Sequence, residues 1–113
     1  MPLYMIQFAY TSEAWAALAK KPENRAEVIS PLLQKMGGRL VDVYYCFGEY
    51  DGVLLAELPS DTAATATVIA ALTPGHVKTT RTTRLMTVNE AMDAMKQAGA
   101  VTYPGPAGMA ART

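Results

Sequence analysis

Tyr50 and Asp51 stand side by side in Gly48-Glu49-Tyr50-Asp51-Gly52, between two strand-like runs. A carboxylate at a strand end serves as a general base when burial raises its pKa, and an adjacent tyrosine positions or donates a proton. The same aspartate is suited to accept backbone NH groups of its own turn, with the tyrosine packed over the end of a sheet. His76 is the only histidine and follows the break Thr73-Pro74-Gly75. Histidine is the usual acid/base at neutral pH, and this one also reads as an exposed residue opening an edge strand. Asp51, Tyr50 and His76 are therefore the candidate catalytic residues. Tyr45, Phe8, Tyr10 and Trp15 are the candidate ligand-binding residues, since with Tyr4 and Tyr44 they would line an apolar pocket. At this spacing aromatic residues also build ordinary cores.

The single cysteine, Cys46, has no base near it in sequence and reads as buried packing rather than a nucleophile. One histidine and one cysteine do not make a zinc site of the usual kind within one subunit, so no metal is expected. There is no Gly-rich phosphate loop, nucleophile elbow or dinucleotide fingerprint, and no cofactor is expected.

The elements that must position these residues follow from periodicity. Leu3 to Tyr10 is a strand with Tyr4, Ile6, Phe8 and Tyr10 on one face and Leu3, Met5, Gln7 and Ala9 on the other. Both faces are largely apolar, which predicts a central strand covered on both sides. Thr11 or Ser12 caps a helix that Pro22 interrupts. The helix restarts near Pro22 to Asn24, with Ala26, Ile29, Leu33 and Met36 at helical spacing and Pro31 inside. Gly37-Gly38 ends it.

Val41 to Phe47 is the second strand, with Val41, Val43, Tyr45 and Phe47 on one face and Asp42, Tyr44 and Cys46 on the other. Val53 to Leu58 is the third, joined to the second by the GEYDG turn, where Gly48 or Gly52 is expected at positive φ. Pro59-Ser60-Asp61 leads into a short helix over 62–72 with Val68, Ile69 and Leu72 on its buried side. His76 to Met86 is a polar fourth strand suited to a sheet edge. The order β-α-β-β-α-β is the ferredoxin-like split unit: an α+β sandwich on a four-stranded antiparallel sheet, strands one and three central. Thr87-Val88-Asn89-Glu90 is a capping box opening an extra helix with Val88, Met92 and Met95 in a stripe, ended by Gly99. The tail from Ala100 is rich in Pro and Gly and should be irregular, with Tyr103 and Met109 available to anchor it. A chain of 113 residues reads as one domain: a core over 1–86, the extra helix over 87–99 and the tail over 100–113.

Composition removes whole classes of function. Ten basic residues balance ten acidic ones, so no basic field exists to hold nucleic acid. The N-terminus lacks a basic n-region and a cleavage site, and the uncharged run Thr62 to Val77 is too polar to span a bilayer, so no membrane association is expected. A lone cysteine fits a reducing compartment, and a cytoplasmic protein is expected.

The hairpin resembles that of the GYD-domain family of small bacterial proteins. The resemblance rests on Gly48-Glu49-Tyr50-Asp51, on Val53 to Leu58 with Pro59 and Asp61, on Gly37-Gly38, and on Gly75-His76-Val77 with Thr79 and Arg84. It spans Tyr4 to Leu85 and leaves out the last helix and the tail. It implies a ferredoxin-like domain related to dimeric α/β-barrel proteins, and it implies oligomers. It implies no particular activity. Two functions remain: a small-molecule binder or cofactor-free enzyme with a pocket between sheet and helices, and a non-catalytic regulatory or structural module. Either is expected to be a homo-oligomer. Neither face of the sheet is polar enough to meet water alone, so a second subunit should pack on it. A dimer is the expected form and a trimer the rival closure.

Overall fold

The computed structural model describes residues 1–108. The elements run β1 (Leu3–Tyr10), α1 (Ser12–Lys20), α2 (Arg25–Lys35), β2 (Arg39–Tyr45), β3 (Gly52–Glu57), α3 (Asp61–Leu72), β4 (Val77–Leu85) and α4 (Val88–Gly99). The four strands form one sheet in the order β2-β3-β1-β4, every pair antiparallel. This is the ferredoxin-like arrangement, with β1 and β3 central as their apolar sequences require.

Local chemistry sets the helix limits. Thr11 caps α1 by accepting from the Ala14 amide at 3.1 Å, and Asn24 caps α2 by accepting from Ala26 at 3.0 Å. At the end of α2, Gly37 adopts φ +82°. Its amide donates to the Gln34 carbonyl and that of Gly38 to Leu33, both at 3.0 Å, closing a Schellman motif. Ser60 caps α3, and the Tyr4 hydroxyl reaches the Asp61 carboxylate at 2.5 Å, tying β1 to the start of that helix.

The core lies on one face of the sheet. Tyr4, Ile6, Phe8 and Tyr10 of β1 are buried there with Leu54 and Ala56 of β3, Leu58, Leu33 of α2 and Ala64 of α3. The opposite face carries Leu3, Met5, Val53, Leu55 and Leu85, all half-buried, with no helix over them.

Four details differ from the sequence expectations. The β2–β3 register shifts between Leu40 and Asp42, so Val41 is the extra residue of a bulge. Leu40 and Val43 then pair opposite Ala56 and Leu54 on the helix-covered face, while Val41 is exposed and Phe47 lies beyond the strand in solvent. Cys46 is exposed rather than packed, because β2 ends at Tyr45; its thiol donates to the Tyr50 carbonyl at 3.2 Å. On α3 the small Ala64 and Thr67 are buried, whereas Ile69 and Leu72 face outward. Finally, α4 covers neither face. Val88, Met92 and Met95 are exposed and the helix has no buried residue. The radius of gyration, 18.9 Å, exceeds the roughly 13 Å of a compact domain of about this length because α4 buries no residue against the core and residues 100–108 are exposed. Tyr103 is exposed and anchors nothing, and Met109 lies outside the described residues.

Candidate functional site

The C-terminal end of β1 gathers the candidate residues. The Tyr10 amide donates to Asp51 Oδ2 at 2.8 Å, and the next amide, Thr11, donates to the His76 carbonyl at 2.9 Å. The hairpin turn and the start of β4 are thus both tied to the same end of β1. Asp51 Oδ2 accepts a second bond from Trp15 Nε1 at 3.1 Å, so one carboxylate joins turn, strand and α1. The Asp51 amide donates to the Phe8 carbonyl and the Asp51 carbonyl accepts from Cys46, each at 2.8 Å. The carboxylate therefore does not bond amides of its own turn. It serves a more distant strand and an indole.

Gly48 takes the positive φ expected of the turn, +157°. Gly52 is required for a different reason. A Cβ there would overlap the buried Phe8 ring, lying 2.8 Å from Cε2 and 3.0 Å from Cε1. The glycine lets β3 run flat against the aromatic core.

Phe8, Tyr10, Trp15 and Tyr45 form one cluster. Ring centroids lie 5.3 Å apart for Phe8 and Tyr10, 5.2 Å for Tyr10 and Trp15 (interplanar angle 89°), and 6.1 Å for Trp15 and Tyr45. These are edge-to-face and tilted contacts, as the ring quadrupoles favour. The Tyr10 and Tyr45 hydroxyls meet at 3.2 Å. Burial pushes the Tyr10 phenol well above its ordinary pKa, and its hydrogen bond to Tyr45 adds to the rise.

Beside this cluster, between sheet and helices, lies a cavity of about 390 Å³. Phe8 and Tyr10 form part of its sheet side, and Ala14, Ala17, Ala70 and Ala71 form part of its helical side. Alanines facing the sheet leave the helical layer too thin to fill the space, which is why a cavity exists here. His76 is at the rim, with Glu13, Glu23 and Arg25. Arg25 Nη1 donates to Glu23 Oε1 at 2.6 Å.

A smaller groove of about 250 Å³ adjoins the cavity and shares Leu18 and Glu23 with it. Trp15 and Tyr45 line this groove. Asp51 and Tyr50, both half-buried, line neither space; of the candidate catalytic residues, His76 alone reaches the cavity. Sequence reasoning missed Glu13, Glu23 and Arg25. The one signal available was the charged pair flanking Asn24 at a helix start, which reads as capping. Among the described residues no three metal-ligating side chains converge, and no helix is long and apolar enough to cross a membrane.

Comparison with known proteins agrees with this fold. The crystal structure of MtbAldR superposes with a TM-score of 0.55 at 16% identity, covering 76% of this chain and 53% of that one. This chain therefore spans about half the length of MtbAldR. The crystal structure of FFRP-DM1 gives a TM-score of 0.47 at 15% identity, covering 76% of this chain and 100% of the other. At 16% identity the likeness to MtbAldR is one of fold. No curated protein matches the sequence. The GYD domain model matches residues 4–95, most of the chain, and the protein belongs to the GYD domain family.

Proposed function

We propose that this chain is a small-molecule-binding subunit of a homo-oligomer, with the ligand held in the cavity between sheet and helices. The observation that carries this reading is the cavity itself: about 390 Å³, lined mostly by aliphatic side chains with the Phe8 and Tyr10 rings, and with Glu13, Glu23 and Arg25 as its charged groups. Ligand sites have this size and this distribution of polarity. Asp51 acts here as a positioning residue, since its Oδ2 fixes both the Tyr10 amide and the Trp15 ring. Tyr50 belongs to the same turn. His76 is the one candidate acid/base with access to a bound molecule, which is where a cofactor-free reaction would draw its proton.

The neutral fluorophore N-phenyl-1-naphthylamine tests the cavity. Its emission should rise on binding, and Ala71→Leu, which fills the cavity wall, should abolish the rise while the fold still melts cooperatively. No enhancement, or enhancement unchanged by Ala71→Leu, would reject the cavity as a binding site.

A second reading, a non-catalytic regulatory or structural module, is favoured by the open sheet face with Leu3, Met5, Val53, Leu55 and Leu85. Apolar faces of this kind mark interfaces. Assembly through that face serves both readings, as a dimer or with trimeric closure as the rival. Leu55→Glu should lower the mass seen by sedimentation equilibrium to that of one chain. An unchanged oligomer would place the interface elsewhere.

A further inference from the structure

The groove beside the cavity is chemically distinct from it. Its lining residues are Trp15, Tyr45, Pro22, the aliphatic Leu18 and Ala19, and Glu23. Both aromatic side chains are open to solvent here, Trp15 at 41% and Tyr45 at 51% exposure. Their orientation is fixed from behind. The indole N–H is held by Asp51 Oδ2, and Tyr10 stands perpendicular to the indole at 5.2 Å. The groove and the cavity lie side by side, with Leu18 and Glu23 in the walls of both.

Resting on the cavity reading above, we propose that the ligand is an organic cation with an apolar tail: an alkylammonium whose tail fills the cavity and whose head sits between Trp15, Tyr45 and Glu23. Three features select a cation. Aromatic faces attract a positive charge through their quadrupoles, tryptophan most strongly. Glu23 uses Oε1 for Arg25 and keeps Oε2 without a protein donor among the described residues. The charged side chains lining the two spaces are Glu13 and Glu23 against Arg25 alone, so the lining itself is net negative. Lys20 and Lys21 end α1 nearby and line neither space. A fully methylated ammonium suits such a groove because it is weakly hydrated, carries no N–H to satisfy, and is drawn to the rings and to the Glu23 carboxylate by charge alone.

Trp15 is the only tryptophan, so its emission reports on the groove directly. Octyltrimethylammonium, octanol and octanoate, all below micelle-forming concentration, share one tail and differ in head charge. Calorimetry on the full chain should rank the ammonium about tenfold tighter than the alcohol, with the carboxylate weakest. Only the ammonium should perturb Trp15 emission strongly. Tyr45→Leu and Glu23→Gln should each remove the preference for ammonium over alcohol and leave octanol affinity in place. Tyr45→Phe, which keeps the ring, should preserve the preference. Equal affinity for ammonium and alcohol, or tightest binding by octanoate at Arg25, would overturn the cationic head and leave the cavity reading intact. Failure of all three probes to bind would remove the cavity reading and this inference together.

Discussion

The two faces of the sheet begin from similar material on β1 and meet different surroundings. Tyr4, Ile6, Phe8 and Tyr10 face α1, α2 and α3 and are buried. Leu3 and Met5 face away from every helix and stay half-buried beside Val53, Leu55 and Leu85. The covered face is not uniformly filled either. It is tightly packed around Leu33 and Leu58 and hollow beneath the alanines of α1 and α3. Apolar sequence alone thus marks three fates: solid core, cavity wall and unpartnered surface. Which one a residue meets depends on what the opposing element presents.

The sharpest contrast is between Leu58 and Leu55. Leu58 is fully buried at the solid end of the core, so Leu58→Ala should cost about 2–5 kcal/mol in chemical unfolding. Leu55→Ala on the open face should cost the single subunit less than about 1 kcal/mol, because its removed carbons are already partly hydrated. Equal losses would mean that the open face is packed within the subunit.

Asp51→Ala separates the hairpin end of the core from the rest. It strips the acceptor from the Tyr10 amide and the Trp15 indole at once, and should destabilise by about 1–3 kcal/mol. Trp15 emission should shift to the red as the ring is released. A variant with wild-type stability and emission would show that these bonds are dispensable.

The burial of Tyr10 should also appear in the pH dependence of stability. Its folded-state pKa lies above the ordinary 10.0 of the unfolded chain. Below pH 10 both states hold the proton and the contribution is constant. Above it the unfolded chain ionises first, so stability falls as pH rises, by at most about 1.4 kcal/mol per unit for one proton. Tyr4 is shifted the same way, by its bond to Asp61 and then by burial, so Tyr10→Phe should reduce the alkaline slope without abolishing it. A slope unchanged by Tyr10→Phe would assign the loss to other groups.

The smallest effect belongs to the element that touches neither face. Ending the chain after Met86 removes α4 and the tail and should change the stability of the single subunit by less than about 0.5 kcal/mol, since α4 buries no residue. A larger loss in concentrated samples alone would show that α4 packs against another subunit.

Strand order was legible because β1 and β3 are apolar on both faces and β4 is polar, and a sheet with helices on it sorts such strands to its centre and edge. Caps were legible at Thr11, Ser60 and Thr87, where a short polar side chain meets amides within three residues of itself. The gathering of Phe8, Tyr10, Trp15 and Tyr45 was legible as a composition of aromatic residues and not as a geometry. The bulge at Val41 was not legible, since an extra residue reverses the facing of a strand without altering its alternation. The role of Asp51 was half legible: its turn could be read from GEYDG, while its partners at Tyr10 and Trp15 lie 41 and 36 residues away.

The sequence by itself determined the elements, their order and the residues available for a site, because periodicity, caps and turn chemistry act over a few residues. Tertiary structure decided which apolar residues became core, cavity wall or open face. It placed Asp51 under Trp15, brought Glu23 and Arg25 from the start of α2 to the rim of the cavity, and left α4 uncovered. Those outcomes depend on the thickness of the opposing layer and on contacts between residues distant in the chain, which no local pattern encodes.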